Sequence, residues 1–275
     1  MVPVLLDADA LRARLVDGGP YAALDVVTVT GSTNSDLAQA AADGAADRTA
    51  LLAEEQRSGR GRMQRSWVSP RGYGLHVSVL LRPPERAQAA ISWVPLIAGI
   101  ALAETVQQRC GITARLKWPN DLLLGDGQEW RKAAGILAEG AAGPDGMAVV
   151  LGIGVNVHHG PEDLPTGAGG LPATSLADQG AEVDRQEFAA ALLLALAEVD
   201  DTWRAHGGDV VSSGLLDRYQ RLCATVGRQV RVELGAEDLR GTATGIDTDG
   251  RLLVQGSDGP ATPVSAGDVV HLRPQ

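Results

Sequence analysis

The sequence predicts an α+β body followed by a small β-barrel. Up to about residue 222, segments with strand-like alternation are interleaved with segments of helical periodicity. Beyond that point only short strand-like segments remain, separated by glycine- and aspartate-rich turns at the spacing expected of a small barrel. A chain of 275 residues with 44% hydrophobic content can also bury a large core. We therefore expect two domains, at residues 1–222 and 223–275.

The first half of the body is expected to alternate helices with strands. A short amphipathic helix places Leu11 and Leu15 on one face, and the strand ALDVVTVT follows it. Thr33 and Asp36 have capping-box spacing for a second helix, which Gly44 ends. TALLAEEQ and GLHVSVLL are expected to be strands, with a long basic, glycine-rich loop between them and an apolar helix after them.

The second half of the body is expected to be strand-rich and then helical. Strands are expected at ARLKWP, LLL, KAAGILAEG and MAVVLGIGVNV, with DGQ marking a hairpin between two of them. Pro119 ends ladder pairing at its own nitrogen, so KWPND should be a strand that stops at a turn. After a proline- and glycine-rich loop, Asp184 is expected to cap a long helix with apolar residues up to Trp203. A further helix should end near Leu222, followed by barrel strands at RQVRVEL, RGTATGID, RLLVQ and PVSAGDVVHLR.

Charge, cysteine content and hydropathy exclude several function classes. The net charge of −10 argues against a general nucleic-acid or anionic-membrane surface. Cys110 and Cys223 form no C-x-x-C pair, so neither a disulfide framework nor a zinc site is indicated. The N-terminus lacks the basic start and apolar core of a signal peptide, and AAISWVPLIAGIALA is too short to span a membrane. We expect a cytoplasmic protein that binds neither DNA nor membrane.

Lysine is almost absent from the chain. Of 24 basic residues only Lys117 and Lys132 are lysines, and the others are arginines. An ammonium group is a compact point charge whereas a guanidinium is a planar fork, so these two positions are candidates for sites that need a point charge. Codon bias with two chance survivors is the alternative explanation. Lys132 begins a strand in which the small residues that follow would let a ligand lie close to the backbone.

The loop SGRGRMQRSW carries a cluster of arginines. Arg60, Arg62 and Arg65 share this loop with Gly59 and Gly61. Glycines let backbone N–H groups approach an anion, and three guanidinium groups can neutralise phosphates as the loop orders around them. A solvated basic loop and a nucleic-acid contact are equally compatible with the pattern.

Polar side chains also stand at the ends of two predicted strands. GSTN contains Ser32, Thr33 and Asn34, and Gln56 ends the next strand. Helix capping and hydrogen bonding to a small polar ligand both explain such residues. The chain contains neither a P-loop nor a complete dinucleotide fingerprint, so a phosphate site in it would have another design.

Five motifs occur in a characteristic order: GSTN, EEQRSGRGR, KWPND, KAAGILAE and GIGVNV. In this order they resemble the biotin protein ligases, also called biotin carboxyl-carrier protein synthetases. The resemblance covers most of the chain. It implies a class II synthetase-like catalytic fold, in which helices pack on a mixed sheet, and a C-terminal SH3-like barrel. It also indicates the enzyme-only class without an N-terminal DNA-binding domain, because GSTN follows only one short helix and one strand.

The resemblance implies an ATP-dependent ligase. Biotin and ATP would form biotinyl-5'-AMP with loss of pyrophosphate, and a lysine of a biotin carboxyl carrier protein domain of a biotin-dependent carboxylase would attack the mixed anhydride. Mg²⁺ would accompany ATP, and no tightly bound prosthetic group is expected. A lipoate-type ligase of similar fold is the alternative. A nucleic-acid-binding regulator that uses the arginine loop is an alternative from a different class.

The same resemblance assigns site residues position by position. The departures from the family pattern are Gln64, where a glycine is usual, and the stretch between Asp121 and Lys132, which is longer than expected. The residues expected to bind biotin are Ser32, Thr33, Asn34, Gln56, Gly59, Arg60, Gly61, Arg62, Lys132, Gly135 and Gly152. The residues expected to bind ATP are Arg62, Arg65, Trp67, Asn120 and Asn156. The residues expected to act in catalysis are Lys132, Arg62 and Asp121, with Asp121 also the expected Mg²⁺ ligand.

Overall fold

The computed structural model describes most of the chain. The described residues are 4–125, 129–144, 146–164, 171–234, 238–257, 259–265 and 267–272, without the side chain of Gln64. The hairpin turn expected at DGQ, residues 126–128, lies outside them. Within these ranges, every helix is too short or too polar to cross a lipid bilayer.

Helices and strands follow the predicted order. The helices of the described residues are α1 (Ala8–Leu15), α2 (Thr33–Ala42), α3 (Glu85–Gln88), α4 (Val94–Cys110), α5 (Arg185–Ala205) and α6 (Leu215–Leu222). The strands are β1 (Ala23–Val27), β2 (Thr49–Ala53), β3 (Gly74–Leu81), β4 (Ala114–Lys117), β5 (Asp121–Leu124), β6 (Arg131–Gly143), β7 (Gly146–Asn156), β8 (Gln229–Glu233), β9 (Asp238–Ile246), β10 (Leu252–Gln255), β11 (Thr262–Val264) and β12 (Asp268–His271).

A seven-stranded mixed sheet organises the body, in the order β1-β2-β3-β7-β6-β5-β4. β1 and β2 are parallel, and the other neighbouring strands are antiparallel. α1, α4 and α5 contribute to the large hydrophobic core of the body. α2 forms a second, smaller core, in which Leu37 and Ala41 pack against Leu80 and Val150 of the central strands. The expected α+β body with a mixed sheet is confirmed.

The C-terminal segment forms a five-stranded antiparallel sheet in the order β11-β10-β9-β8-β12. Its interior is filled by buried aliphatic side chains, among them Val230, Val232 and Val254. PVSAGDVVHLR was expected to be one strand but forms two, because β11 pairs with β10 at one edge while β12 pairs with β8 at the other. The small barrel predicted for this part of the chain is confirmed.

Two tryptophans join the body to the barrel. The indole of Trp118 is buried and donates a hydrogen bond to the carbonyl of Gly250 at 2.9 Å. Its backbone N–H donates to the hydroxyl of Thr225 at 3.1 Å. The indole of Trp93 donates to the carbonyl of Thr248 at 2.7 Å. Each tryptophan therefore combines a large buried surface with a satisfied polar group across the seam.

The KWPND segment is a strand that stops at a turn, as predicted. β4 ends at Lys117 and β5 begins at Asp121, and these two residues pair across the hairpin. The Trp118–Pro119 peptide bond between them is cis. The turn thus holds its buried tryptophan against the barrel while it returns the chain to the sheet.

α2 begins differently from the prediction. Ser32 is the N-cap residue, and its side chain makes no capping hydrogen bond. The Thr33 hydroxyl bonds instead to Gln56, and the Asp36 carboxylate accepts from Thr30. The expected capping box of Thr33 and Asp36 is therefore wrong, because Gln56 and Thr30 take these two side chains. Gly44 does end the helix, with φ at +87°.

Candidate active site

A cavity of about 250 Å³ lies on the α2 side of the sheet, where the five motifs meet. Gly267 and Asp268 of the barrel also line it. Gly59 lies beside the cavity and accepts a hydrogen bond from the backbone N–H of Trp67. The other predicted site residues line the cavity: Ser32, Thr33, Asn34, Gln56, Arg60, Gly61, Arg62, Arg65, Trp67, Asn120, Asp121, Lys132, Gly135, Gly152 and Asn156.

Glycines of β6 and β7 form the floor of the cavity. A Cβ atom added to Gly152 would lie 2.3 Å from Oδ1 of Asn34. One added to Gly154 would lie 2.7 Å from the Trp67 ring, and one added to Gly135 would lie 3.3 Å from it. The absence of side chains at these positions lets an amide and an indole lie directly on the strands.

A buried polar cluster closes one end of the cavity. Gln56 Oε1 accepts from the backbone N–H of Thr33 at 2.9 Å and from its hydroxyl at 3.1 Å. Ser78 lies within hydrogen-bond distance of Thr33 Oγ1, at 2.7 Å, and of Asn34 Oδ1, at 2.6 Å. Asn34 Nδ2 donates to the Glu139 carboxylate at 2.8 Å. The amide and hydroxyl groups of this cluster are therefore held in fixed orientations.

A β-bulge turns Lys132 into the cavity. In the pairing of β5 with β6, Leu122 is opposite Ala134 and Leu123 is opposite Lys132, so Ala133 is the extra residue. Because side chains alternate along a strand, one extra residue moves Lys132 to the face that carries Gly135. Its ammonium lies 2.6 Å from Asp121 Oδ1 and 6.0 Å from the Trp67 ring centroid.

Both lysines of the chain converge on Asp121. Lys132 pairs with Oδ1, while the Lys117 ammonium lies 3.9 Å from Oδ2. The Lys117 side chain is only 5% exposed, against 24% for Lys132. Burial lowers the pKa of Lys117, whereas the charges of Asp121 and Asp268 raise it. Lys117 was not among the predicted site residues, although its rarity in the chain was a signal.

The arginine loop folds back on itself beside the cavity. Arg60 and Ser66 form an isolated antiparallel bridge, and the Gly61 N–H donates to the Arg65 carbonyl at 2.7 Å. Met63, at the tip of the loop, has a left-handed φ of 54° and is exposed. This geometry presents the three arginine side chains in different directions.

Each arginine of the loop has its own partner. Arg60 donates to the Glu139 carboxylate at 3.1 Å, and Arg62 donates to Asn120 Oδ1 at 3.3 Å. Arg65 forms an ion pair with Asp268 of the barrel. Burial lowers the pKa of Arg62 below its usual value. The loop thus connects β6, the KWPND turn and the barrel around one cavity.

Three polar residues at the site escaped the sequence prediction. Ser78 is fully buried in a strand of apolar residues, which is a signal that sequence reasoning could have used. Glu139 ends the KAAGILAE motif, four residues after Gly135, which was predicted to bind biotin. Asp268 carries no local signal, because its place at the cavity depends on how the barrel packs on the body.

Asp121 and Asp268 are the carboxylate residues among those that line the cavity. No group of three or more His, Cys, Asp or Glu residues in the described ranges could hold a metal ion. The side chains therefore do not form a complete metal cage. They do fit Mg²⁺ that arrives with a nucleotide, because this ion takes one or two protein carboxylates and fills its other positions with phosphate and water.

Comparison with known proteins identifies the family. The biotin/lipoate A/B protein ligase family model matches residues 26–156, and the biotin protein ligase C terminal domain model matches residues 225–272. The biotin--[acetyl-CoA-carboxylase] ligase of Mycobacterium tuberculosis is 40% identical over 275 residues, with 98% of this chain and 96% of that protein covered. The chain belongs to the biotin protein ligase family. Membership confirms the ligase interpretation and favours it over a lipoate-type ligase and over a nucleic-acid-binding regulator.

Other relatives match both the catalytic body and the C-terminal barrel of this chain. The bifunctional ligase/repressor of Escherichia coli is 33% identical over 268 residues, with 96% of this chain and 78% of that protein covered. The structure of the Aquifex aeolicus biotin protein ligase in complex with biotin and ATP has a TM-score of 0.75 and 25% identity. It covers 92% of this chain and all of that chain. These likenesses confirm a biotin ligase fold with a small SH3-like C-terminal domain.

Proposed function

We propose that the enzyme activates biotin with ATP as biotinyl-5'-AMP and transfers the biotinyl group to a lysine of a carrier domain. The observation that carries this proposal is the meeting of GSTN, the arginine loop and Lys132 in one cavity of a chain that is 40% identical to a biotin ligase. A polar cluster at one end and a cationic cluster at the other suit a ligand with a polar ring and an anionic tail.

The buried polar cluster is the proposed site for the ring of biotin. The ureido group of biotin has two N–H donors and one carbonyl acceptor, so it needs both kinds of partner. Hydroxyl, amide and carboxylate groups at this end offer both, and the absence of a side chain at Gly152 makes room for the Asn34 amide. The proposed biotin-binding residues are Ser32, Thr33, Asn34, Gln56, Gly59, Arg60, Gly61, Arg62, Lys132, Gly135 and Gly152.

The proposed nucleotide end lies around Trp67 and the KWPND turn. Trp67 Nε1 is buried and has no hydrogen-bond partner among the described residues, so it offers a free donor. Asn156 is anchored through a hydrogen bond from its Nδ2 to the Thr174 carbonyl at 2.9 Å. Asn120, Arg62 and Arg65 complete the proposed ATP-binding set, the two guanidinium groups facing the phosphates.

Adenylation joins the two ends. A biotin carboxylate oxygen attacks the α-phosphorus of ATP, and the bond to the bridging oxygen breaks as pyrophosphate leaves. Lys132 is placed to offset negative charge that develops between the carboxylate and the α-phosphate, and Arg62 is placed to hold the phosphate. Mg²⁺, when bound with ATP, neutralises phosphate charge, and Asp121 is the carboxylate that would hold it.

Transfer completes the proposed reaction. The neutral amine of a carrier lysine attacks the acyl carbon of biotinyl-5'-AMP, the bond to the phosphate oxygen breaks, and AMP leaves as the nitrogen loses a proton. The name of the Mycobacterium tuberculosis relative supports a biotin carboxyl carrier protein domain of a biotin-dependent carboxylase as the partner.

The remaining assignments are also proposals. The proposed domains are residues 1–222 for catalysis and 223–275 for the barrel, supported by the C-terminal family match from residue 225. The proposed location is the cytoplasm. It is supported by the need for ATP and by the unpaired thiols of Cys110 and Cys223.

Carrier labelling tests the proposal. The protein is incubated with biotin, ATP, Mg²⁺ and a recombinant biotin carboxyl carrier domain, and the mass of the carrier is measured. A matched carrier has arginine in place of its acceptor lysine. We expect the mass of one biotinyl group on the first carrier only, and only with ATP. A carrier that a known biotin ligase labels but that stays unlabelled here would contradict the proposal.

A further inference from the structure

Lys117 is a buried cation that the proposed mechanism does not use. Its ammonium lies 3.9 Å from Asp121 Oδ2, and its side chain is only 5% exposed. It does not line the cavity, although Asp121 and Lys132 do. Since a buried ammonium is unfavourable without a charged partner, its retention beside Asp121 calls for a role other than ligand contact.

Lys117 is held firmly in this place. It ends β4 and pairs with Asp121 across the hairpin. The next residue, Trp118, is buried and is bonded to Gly250 and Thr225 of the barrel. The charged and titratable groups that face the Lys117 ammonium are Asp121, Asp268, Lys132, Arg65 and His271.

Lys132 is in a different position. Its ammonium lies 2.6 Å from Asp121 Oδ1, and its side chain is 24% exposed and opens into the cavity. In the proposed adenylation Lys132 turns toward the carboxylate of biotin and the α-phosphate. When Lys132 turns to the biotin carboxylate, its charge is drawn away from Asp121. The Asp121 side chain is only 13% exposed and gains little compensation from water until Mg²⁺ arrives with ATP.

We infer that Lys117 is a positioning residue: it keeps Asp121 paired and in place while Lys132 moves between Asp121 and the anions of the substrates. This inference rests on the proposed function, because it requires Lys132 to bind biotin and ATP. Two lysines on one carboxylate then have different tasks. The buried lysine is a fixed counter-charge, and the exposed lysine exchanges partners.

Two substitutions separate this role from simple packing. Lys117→Met keeps a similar length without the charge, and Lys117→Arg keeps the charge. Leu116→Met, at the preceding buried position of the same strand, is the matched control. Pyrophosphate release gives kcat and the KM values for biotin and ATP, and thermal melting reports on the fold.

We expect Lys117→Met to lower kcat at least about tenfold while the KM for biotin stays within about threefold of the wild-type value. For a tenfold loss, Lys117→Arg should have a kcat at least about twofold above that of Lys117→Met. The kcat of Leu116→Met should stay within about twofold of the wild-type value. A wild-type kcat in Lys117→Met, a parallel rise in the KM for biotin, or no recovery in Lys117→Arg would overturn the inference. None of these results touches the proposed function, which is tested on the wild-type protein by biotin-dependent pyrophosphate release and by carrier labelling.

A second measurement is made on the wild-type protein, and variants serve only to assign its signals. Because the chain has two lysines, ¹⁵N labelling of lysine side chains in the wild-type protein gives two ammonium signals, which Lys117→Arg and Lys132→Arg assign. Addition of biotinyl-sulfamoyl-adenosine, a stable analogue of the adenylate, should shift the Lys132 signal and leave the Lys117 signal protected and nearly unmoved. An equal shift of both signals, or a Lys117 signal lost to rapid exchange with water, would overturn the inference.

Discussion

A methyl group added at Gly152 would test whether Asn34 and the cavity floor shape the biotin site. The new Cβ would lie 2.3 Å from Asn34 Oδ1 and 3.2 Å from its Nδ2, well inside van der Waals contact. Gly152 lies within β7, where any residue adopts the extended backbone. The clash with the amide is therefore the main consequence of Gly152→Ala.

The magnitude follows from what holds Asn34. Its side chain is hydrogen-bonded to Ser78 at 2.6 Å, to the Glu139 carboxylate at 2.8 Å and to the Leu137 carbonyl at 3.3 Å. A neutral hydrogen bond contributes about 1 kcal/mol, and one to a charged group contributes about 2 kcal/mol. Loss of one or two of these bonds, about 1–3 kcal/mol in all, would raise the KM for biotin by about 5- to 150-fold.

The assay is pyrophosphate release, with biotin varied at saturating ATP and ATP varied at saturating biotin. Gly18→Ala is the matched control, since its Cβ would meet no atom within 4 Å. Gly154→Ala is the contrasting variant. Its Cβ strikes the Trp67 ring at 2.7 Å, so we expect the KM for ATP to rise more than that for biotin. An unchanged KM for biotin in folded Gly152→Ala would refute the reasoning about Asn34.

Three further predictions concern rate, closure and acid stability. Lys132→Ala should lose adenylate formation on the order of a hundredfold or more because it removes a charge that stabilises the transition state; near-normal pyrophosphate release by the folded variant would remove Lys132 from the reaction. Residues 57–66 should be cut more slowly by a protease when biotin and ATP are present, and Arg62→Gly should release the adenylate so that unrelated proteins become biotinylated; equal cleavage with no stray labelling would show that the loop is not a lid. Burial, with smaller contributions from the charges of His159 and Arg185, lowers the pKa of His76 from 6.5 to about 4. As the pH falls, His76 is therefore protonated in the unfolded chain before it is protonated in the folded protein. Its contribution to the free energy of unfolding is complete above pH 6.5 and declines by up to about 3 kcal/mol as the pH falls to about 4. Urea unfolding at pH 7.5 and 4.5 should show a smaller loss for His76→Gln than for the wild-type protein, and equal losses would contradict the assignment.

Local patterns were enough to predict most of the fold. The cap at Asp184 and the apolar spacing up to Trp203 correctly placed α5, because both are properties of one helix. The turn after Lys117 was predictable for the same reason, since Pro119 restricts its own neighbourhood. Alternating residues likewise located the central strands. Features that depend on neighbours in sequence were therefore accessible.

Features that depend on tertiary contacts could not be predicted from the sequence. The capping box at Thr33 was a reasonable local expectation, but Gln56, three residues beyond the end of β2, takes that hydroxyl. The direction of Lys132 depends on a bulge defined by pairing with β5. Asp268 reaches the cavity only because the barrel docks on Trp118. Motif order could identify which residues matter, while the partners of each residue required the packed structure.

The most direct test of the account is substrate-dependent pyrophosphate release without a carrier. The protein is mixed with ATP, Mg²⁺ and either biotin or lipoate, and pyrophosphate is measured over time. We predict release with biotin and none above background with lipoate. Lipoate-dependent release, or no release with biotin from a folded protein, would contradict the claim that this enzyme activates biotin as its adenylate.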